Sequence, residues 1–147
     1  MIKRILFLSN SSDGFYGFRQ ELVIALGRIS EIYVSTPDDG YFDELQSIGC
    51  QLIETPIDRR GLNPIKDIKL FRLYRSLLRQ IRPDMVITYT IKPNVYGGLA
   101  CRIASIPYAA NITGLGTAFQ KQGILRAIAS MLYKIALKKA KVVFFEN

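Results

Sequence analysis

Short apolar runs of strand type take turns with segments of helical periodicity along the whole chain, and this alternation leaves few folds open. Residues 2–8, 32–34, 51–53, 85–88, 108–112 and 142–145 read as strands. Between them, residues 17–28 carry Leu22, Val23, Ala25 and Leu26 at helical spacing, 41–48 form a helix ended by Gly49, and 65–81 form a long helix stopped before Pro83. Residues 95–104 and 124–140 complete the helices. Strands that read as near-continuous apolar runs, each followed by a helix, predict an α/β fold: an open, doubly wound, mainly parallel sheet of about six strands with helices on both faces. With 147 residues and 49% hydrophobic content the chain is one domain's worth of core.

Several classes are disfavoured at once. Cys50 and Cys101 sit in apolar contexts without metal-ligand spacing, and the chain has no histidine, which speaks against a zinc site and a disulfide framework and predicts a reducing, cytoplasmic setting. The first residues, MIKRILFLSN, read as a first strand and not as a signal peptide, and no apolar stretch approaches the roughly 18 residues of a membrane span. The expected protein is soluble, or at most peripheral on the inner face of a membrane. The net charge of +8 is uneven: residues 1–60 carry six basic and nine acidic side chains, residues 61–147 fourteen basic and three acidic. A nucleic acid, an anionic membrane surface or a diphosphate ligand would each answer such an excess, as would a solvated basic face with no partner.

In open parallel sheets ligands bind outside the carboxyl ends of the strands, where loops enter helix amino termini. Three loops qualify. Residues 9–19 (SNSSDGFYGFR) follow the first strand and offer glycines and small hydroxyls for backbone approach to a phosphate, or simply a turn capped by Ser12 or Asp13. Residues 88–94 (TYTIKPN) lead into Val95-Tyr96-Gly97-Gly98, where the two glycines permit close approach of another backbone. Lys92 there is a cation over a helix amino terminus, which opposes the helix dipole unless an anion sits nearby. Residues 111–119 (NITGLGTAF) add Asn111, Thr113 and Thr117 as hydrogen-bond partners for sugar hydroxyls or phosphate oxygens. None of these has the GxGxxG spacing with a following acidic residue, so a dinucleotide oxidoreductase is disfavoured. The basic residues lie on helices without interleaved exposed aromatics, which argues against nucleic acid, and no acidic cluster supports a phosphorylated signalling domain.

Arg60-Gly61-Leu62-Asn63-Pro64, Lys92-Pro93-Asn94 and Thr113-Gly114-Leu115-Gly116, in this order within the strand and helix pattern, resemble the amino-terminal domain of family 4 glycosyltransferases of the GT-B fold. The nearest branch builds capsule, O-antigen or lipopolysaccharide sugars and glycans on undecaprenyl-diphosphate carriers, including transferases acting on diacetylbacillosaminyl-diphospho-undecaprenol. The resemblance implies one Rossmann-like half of a two-domain enzyme: residues 1–147 as the acceptor-side domain, with the donor-binding carboxy-terminal domain absent from this chain. The implied function is acceptor binding in a retaining transferase that moves a sugar from a nucleotide-sugar such as a UDP-sugar to a lipid-diphosphate-linked saccharide, with no cofactor or metal. The chain by itself is expected to be inactive. A non-catalytic nucleotide- or anion-binding module is the alternative.

By the same resemblance, Asp13, Gly14 and Gly17 would face the donor diphosphate. Lys92, Asn94 and Thr90 would lie near the acceptor sugar or lipid diphosphate, Thr113, Gly114 and Gly116 would line the acceptor pocket, and Arg59, Arg60 and Asn63 would reach the same cleft. Many relatives place a histidine after the fourth or fifth strand. With none here, that step falls to Thr88, Tyr89, Thr90, Asn111 or the donor's own phosphate, and no catalytic base is named. Arg72, Arg75, Arg79 and Arg82 share one side of the long helix, opposite an apolar side expected to pack on the sheet. The last helix carries more apolar residues than one buried face needs, with Lys134, Lys138, Lys139 and Lys141 at its end. It suits either an anionic lipid surface or cover by a second domain.

Overall fold

Strand β1, Arg4–Leu8, is buried at four consecutive positions from Ile5 to Leu8, with no polar face, as a strand covered on both sides must be. The computed structural model describes residues 1–59, 61, 63–114 and 123–146, Leu125 by its backbone alone. After β1 come α1 (Ser12–Gly27), β2 (Glu31–Thr36), α2 (Phe42–Ser47), β3 (Cys50–Glu54), α3 (Pro64–Ile81), β4 (Met85–Tyr89), a π-helical turn (Pro93–Gly97), α4 (Gly98–Ala104), β5 (Tyr108–Ile112), α5 (Ile124–Leu137) and β6 (Val142–Phe145). The sheet has six strands in the order β3-β2-β1-β4-β5-β6, and every neighbouring pair is parallel. The doubly wound sheet expected from the alternation is the observed one.

The period of two in β1 divides the core. Leu6 and Leu8 pack with Tyr74, Leu77 and Leu78 of α3 and with Ala100 and Cys101 of α4. Ile5 and Phe7 pack on the other face, with Phe15 and Val23 of α1 and Leu45 of α2. Helices therefore cover both faces, and each buried β1 residue stabilises one of two separate layers. A third cluster, Val95, Ile112 and Tyr133, joins the π turn and β5 to α5.

Local chemistry explains the boundaries. Asn63 caps α3, its Oδ1 accepting from the N–H of Ile65 at 3.0 Å and of Lys66 at 3.4 Å, and Pro64 takes the first helical position, where its missing N–H costs nothing. The helix ends at Arg82, whose φ of 51° breaks the helical path before Pro83. Helix α1 starts five residues earlier than the periodicity of residues 17–28 indicates, because Ser11 Oγ accepts from the Gly14 N–H at 3.1 Å and nucleates a first turn that contains no apolar stripe. The helix expected over 95–104 is divided into the π turn and α4.

Close approach at Gly97 and Gly98 is realised. A Cβ on Gly97 would stand 2.6 Å from Leu8 Cδ1, and one on Gly98 would stand 3.1 Å from the Ala136 carbonyl oxygen. Small residues here let the turn sit directly on the ends of β1 and β4 and let α5 lie across it.

Candidate functional site

Strand order reverses between β1 and β4: the chain leaves β1 toward β2 and β3, and leaves β4 toward β5 and β6. Loops that part in opposite directions open a crevice at the strands' carboxyl ends. A cleft of about 300 Å³ lies there, and among its lining residues are Ser9, Asn10, Arg19, Arg59, Thr90 and Thr113.

Thr90 is the unusual residue of this cleft. Its φ is 71°, in the left-handed region that β-branched side chains avoid, and its Oγ1 is buried without a hydrogen-bond partner. Such a conformation costs on the order of 1–3 kcal/mol and persists only where surrounding structure imposes it. The surrounding structure is visible: the Asn94 N–H donates to the Thr90 carbonyl at 2.9 Å, fixing the first turn of the π segment, while β4 fixes the residue before it. Thr90→Gly is expected to gain about 1 kcal/mol in stability, since relief of the strain exceeds the roughly 0.5–1 kcal/mol entropy cost of glycine. The same variant is expected to lose ligand binding in the cleft; thermal unfolding and titration together check the pair of effects.

The amino terminus of α1 borders the same cleft, but its donors are already engaged. Asp39, in the loop after β2, accepts at Oδ1 from the N–H of Ser12 at 2.6 Å and of Asp13 at 3.0 Å, and at Oδ2 from Ser11 Oγ at 2.7 Å. The Ser12 hydroxyl also donates to Asp39, and Gly14 N–H is taken by Ser11. The chain thus supplies its own carboxylate where a phosphate was expected, opposite the positive end of the helix dipole. Asp13 and Gly14 line the cleft, within a helix and not a loop, whereas Gly17 lies a turn further along, exposed, with nothing within 4 Å of the Cβ it lacks.

Burial alone would raise the Asp39 carboxyl, but hydrogen bonds from the Ser12 and Ser11 hydroxyls and from the Asp13 and Ser12 N–H groups outweigh it and hold the group below its ordinary range. A carboxyl lowered in the folded state contributes stability that is fully present above its unfolded value of about 3.9 and is lost as pH falls through the lower folded value. Asp39→Asn is therefore expected to flatten the fall of the unfolding midpoint on acidification below about pH 4, and Asp39→Ala to cost about 1 kcal/mol at neutral pH, as for other lost helix caps. Urea unfolding from pH 7 to pH 2.5 measures both. Asp58 and Asp84 are lowered as well, the first by Lys66 and the Gly61 N–H, the second by the Arg4 and Lys3 N–H groups, so some acid sensitivity persists in the variant.

Arg19 spans the cleft from α1. Its guanidinium lies 4.5 Å over the Tyr89 ring and is paired with Glu146, beyond the end of β6. Burial first, with Glu146 adding, pushes the Tyr89 phenol up to about 12 despite Arg19, so Tyr89 stays protonated at neutral pH. Of the four side chains expected to replace a histidine, Thr88 and Asn111 are committed to an internal network and Tyr89 is held neutral. Thr90 lines the cleft, and its buried hydroxyl has no partner among the described residues.

Lys92 and Asn94 lie elsewhere than the cleft. Asn94 is fully buried; its Oδ1 accepts from Thr88 Oγ1 at 2.6 Å and its Nδ2 donates to the Asn111 carbonyl at 2.8 Å. Lys92, 12% exposed, donates to Asp67 Oδ1 of α3 at 2.6 Å, and the Tyr96 hydroxyl donates to the other oxygen at 2.9 Å. The anion that the dipole argument requires beside Lys92 is thus one of the chain's own. Thr113 lines the cleft, Gly114 follows it with a φ of 131° that favours glycine, and Asn63 is the exposed cap of α3. Arg59 lines the cleft and makes no ion pair among the described residues. Arg60 and Gly116 lie outside the described residues.

Asp39 is a cleft residue that sequence reasoning missed, and Arg19, inside the 9–19 stretch, was given no role. Asp39 follows β2 at the same sheet edge as the other loops, and that position was the available signal. Nothing local marks Arg19, whose partner is 127 residues away. Among the described residues no three His, Cys, Asp or Glu side chains gather as they would around a metal ion.

The fold recurs in known proteins. In solved structures the same fold occurs in MurG of Acinetobacter baumannii (TM-score 0.62, 18% identity, 97% of this chain and 41% of that one). It also occurs in S. aureus MnaA solved with UDP (TM-score 0.65, 15% identity, 98% and 38%). In sequence the chain is 33% identical over 150 residues to N,N'-diacetylbacillosaminyl-diphospho-undecaprenol alpha-1,3-N-acetylgalactosaminyltransferase of Campylobacter jejuni subsp. jejuni, a match covering 98% of this chain and 40% of that relative. The chain thus spans about two fifths of the length of the curated relative. The family model for glycosyl transferase 4-like proteins matches residues 4–147, and the chain belongs to that family.

Proposed function

We propose that this chain is the acceptor-side half of a sugar-transferring enzyme, binding a saccharide carried on a lipid diphosphate while a second domain presents the nucleotide-sugar. The observation that carries the reading is the 33% identity, over 98% of the chain, to a transferase whose name specifies a diphospho-undecaprenol-linked sugar. The cleft supports it chemically. Its lining offers uncharged partners in the Asn10 amide and the Thr113 hydroxyl, suited to sugar hydroxyls, with Arg59 as a cation for phosphate. The α1 amino terminus, engaged by Asp39, binds no donor diphosphate in this arrangement. Donor recognition therefore belongs to the second domain, and the donor is a UDP-sugar by analogy with the fold relative solved with UDP.

The enzyme works at a membrane surface. Among the described residues no helix is long and apolar enough to cross a membrane. The exposed face of α5 instead carries Ile124, Ile128, Met131 and Ile135 one turn apart, beside Lys134, Lys138 and Lys139. An amphipathic helix of this kind rests on anionic lipid, with its apolar stripe inserted and its lysines at the headgroups.

An amide NMR titration tests the reading. A short-chain lipid-diphosphate N-acetylhexosamine is expected to shift the amides of Ser9, Asn10, Thr90 and Thr113, and UDP-GlcNAc to leave them unmoved. Saturable shifts with UDP-GlcNAc alone would instead identify a nucleotide-binding module.

A further inference from the structure

A second, larger cavity of about 570 Å³ lies on the far side of the loop that lines the cleft. Ile68 and Phe71 of α3, Ile91, Val95 and Leu99 of the β4 loop and following helix, and Leu132 of α5 make it overwhelmingly apolar. Its volume falls within the roughly 300–1,000 Å³ of ordinary ligand sites. Its charged groups belong to one cluster, Lys92 with Asp67, joined by the Tyr96 hydroxyl.

Cleft and groove share a wall. Thr90 lines the cleft, while the next two residues, Ile91 and Lys92, line the groove. The left-handed φ of 71° at Thr90 turns the backbone so that consecutive side chains serve opposite sides. A polar site and an apolar site separated by one loop fit a single ligand with a charged head and a hydrocarbon tail. Lys92 stands at the boundary: one of its three N–H donors is used on Asp67, which leaves two for a phosphate. The surroundings match an anion as well, since Lys69 and Arg72 of α3 and Arg126 and Lys134 of α5 are all exposed on the two helices that form the groove.

We infer that the groove between α3 and α5 receives the diphosphate-proximal part of an isoprenoid chain, with Lys92 contacting the diphosphate as it passes from groove to cleft. The inference rests on the acceptor reading above and assigns the place of the lipid. It also accounts for a stretch of apolar surface left open to water, which a hydrocarbon would cover favourably.

The chain contains no tryptophan, so Phe71→Trp places a single fluorophore in the groove. Geranyl, farnesyl and geranylgeranyl diphosphate are titrated in turn, with inorganic pyrophosphate and vesicles of phosphatidylglycerol as controls. Emission is expected to shift to the blue with each prenyl diphosphate, with affinity rising at least about tenfold from the ten-carbon to the twenty-carbon chain. Ile68→Glu, at a half-exposed position the fold tolerates, is expected to abolish the chain-length dependence, and Ile68→Leu to restore it. Equal affinity for pyrophosphate and all three lipids would overturn the inference, as would an emission change on vesicles that prenyl diphosphates do not compete. If Phe71→Trp fails to fold, Leu132→Trp carries the same reading. Flat chain-length dependence with intact cleft shifts removes the groove alone. Chain-length dependence without cleft shifts retains the lipid site and removes the sugar-acceptor reading.

Discussion

Asn94→Ala is expected to destabilise the fold by roughly 3–5 kcal/mol, the largest effect of any single substitution near the site. The residue is fully buried and ties three segments together: β4 through the Thr88 hydroxyl, β5 through the Asn111 carbonyl, and the π turn to which it belongs. Removing the amide leaves the Thr88 hydroxyl and the Asn111 carbonyl buried without their best partners, at about 1–3 kcal/mol each, and adds a cavity. Asn94→Asp is expected to be nearly as harmful, since a carboxylate still accepts from Thr88 but presents an oxygen to the Asn111 carbonyl and buries a charge. Urea unfolding at constant m measures both variants. A loss under 1 kcal/mol for Asn94→Ala would mean that the Thr90–Lys92 loop is positioned by other contacts.

Gly97→Ala is expected to cost about 1–3 kcal/mol by overpacking. The added methyl would lie 2.6 Å from Leu8 Cδ1 and 3.2 Å from Thr88 Cγ2, and both of those side chains are completely buried, so neither has room to give. The displacement passes to the cleft, because Thr88 is two residues before Thr90. Gly17→Ala is the internal control: it lies within α1, no atom stands within 4 Å of the new methyl, and alanine is expected to gain about 0.5–1 kcal/mol. Thermal unfolding should therefore separate the two glycines in opposite directions. If both variants lose stability, backbone conformation and not packing governs these positions.

Asn94 and Gly97 bear on function through one piece of backbone. Asn94 and Gly97 anchor the π turn, the π turn fixes the strained Thr90, and Thr90 divides the polar cleft from the apolar groove. Both changes should therefore weaken lipid-diphosphate binding even though neither residue reaches the ligand. Asp39 acts on the opposite rim, where it neutralises the α1 amino terminus.

What the sequence by itself determined is everything carried by short-range chemistry. The doubly wound sheet follows from apolar runs separated by helical periodicity; the start of α3 follows from Asn63-Pro64; and the contact made at Gly97 and Gly98 follows from two adjacent residues without side chains. Each of these signals lies within a few residues of the structure it specifies. Tertiary structure alone decided what the polar residues do. Lys92 meets Asp67 across 25 residues, Ser11 meets Asp39 across 28, and Arg19 meets Glu146 across 127. The same long-range packing turned Asn94 from an expected ligand contact into a buried clamp, and it split the region around residues 88–98 into two cavities with opposite character. The physical reason is that charges and amides take whichever partner the strand order brings within hydrogen-bond distance, and that order, with β1 beside β4, is a property of the assembled sheet and not of any local segment.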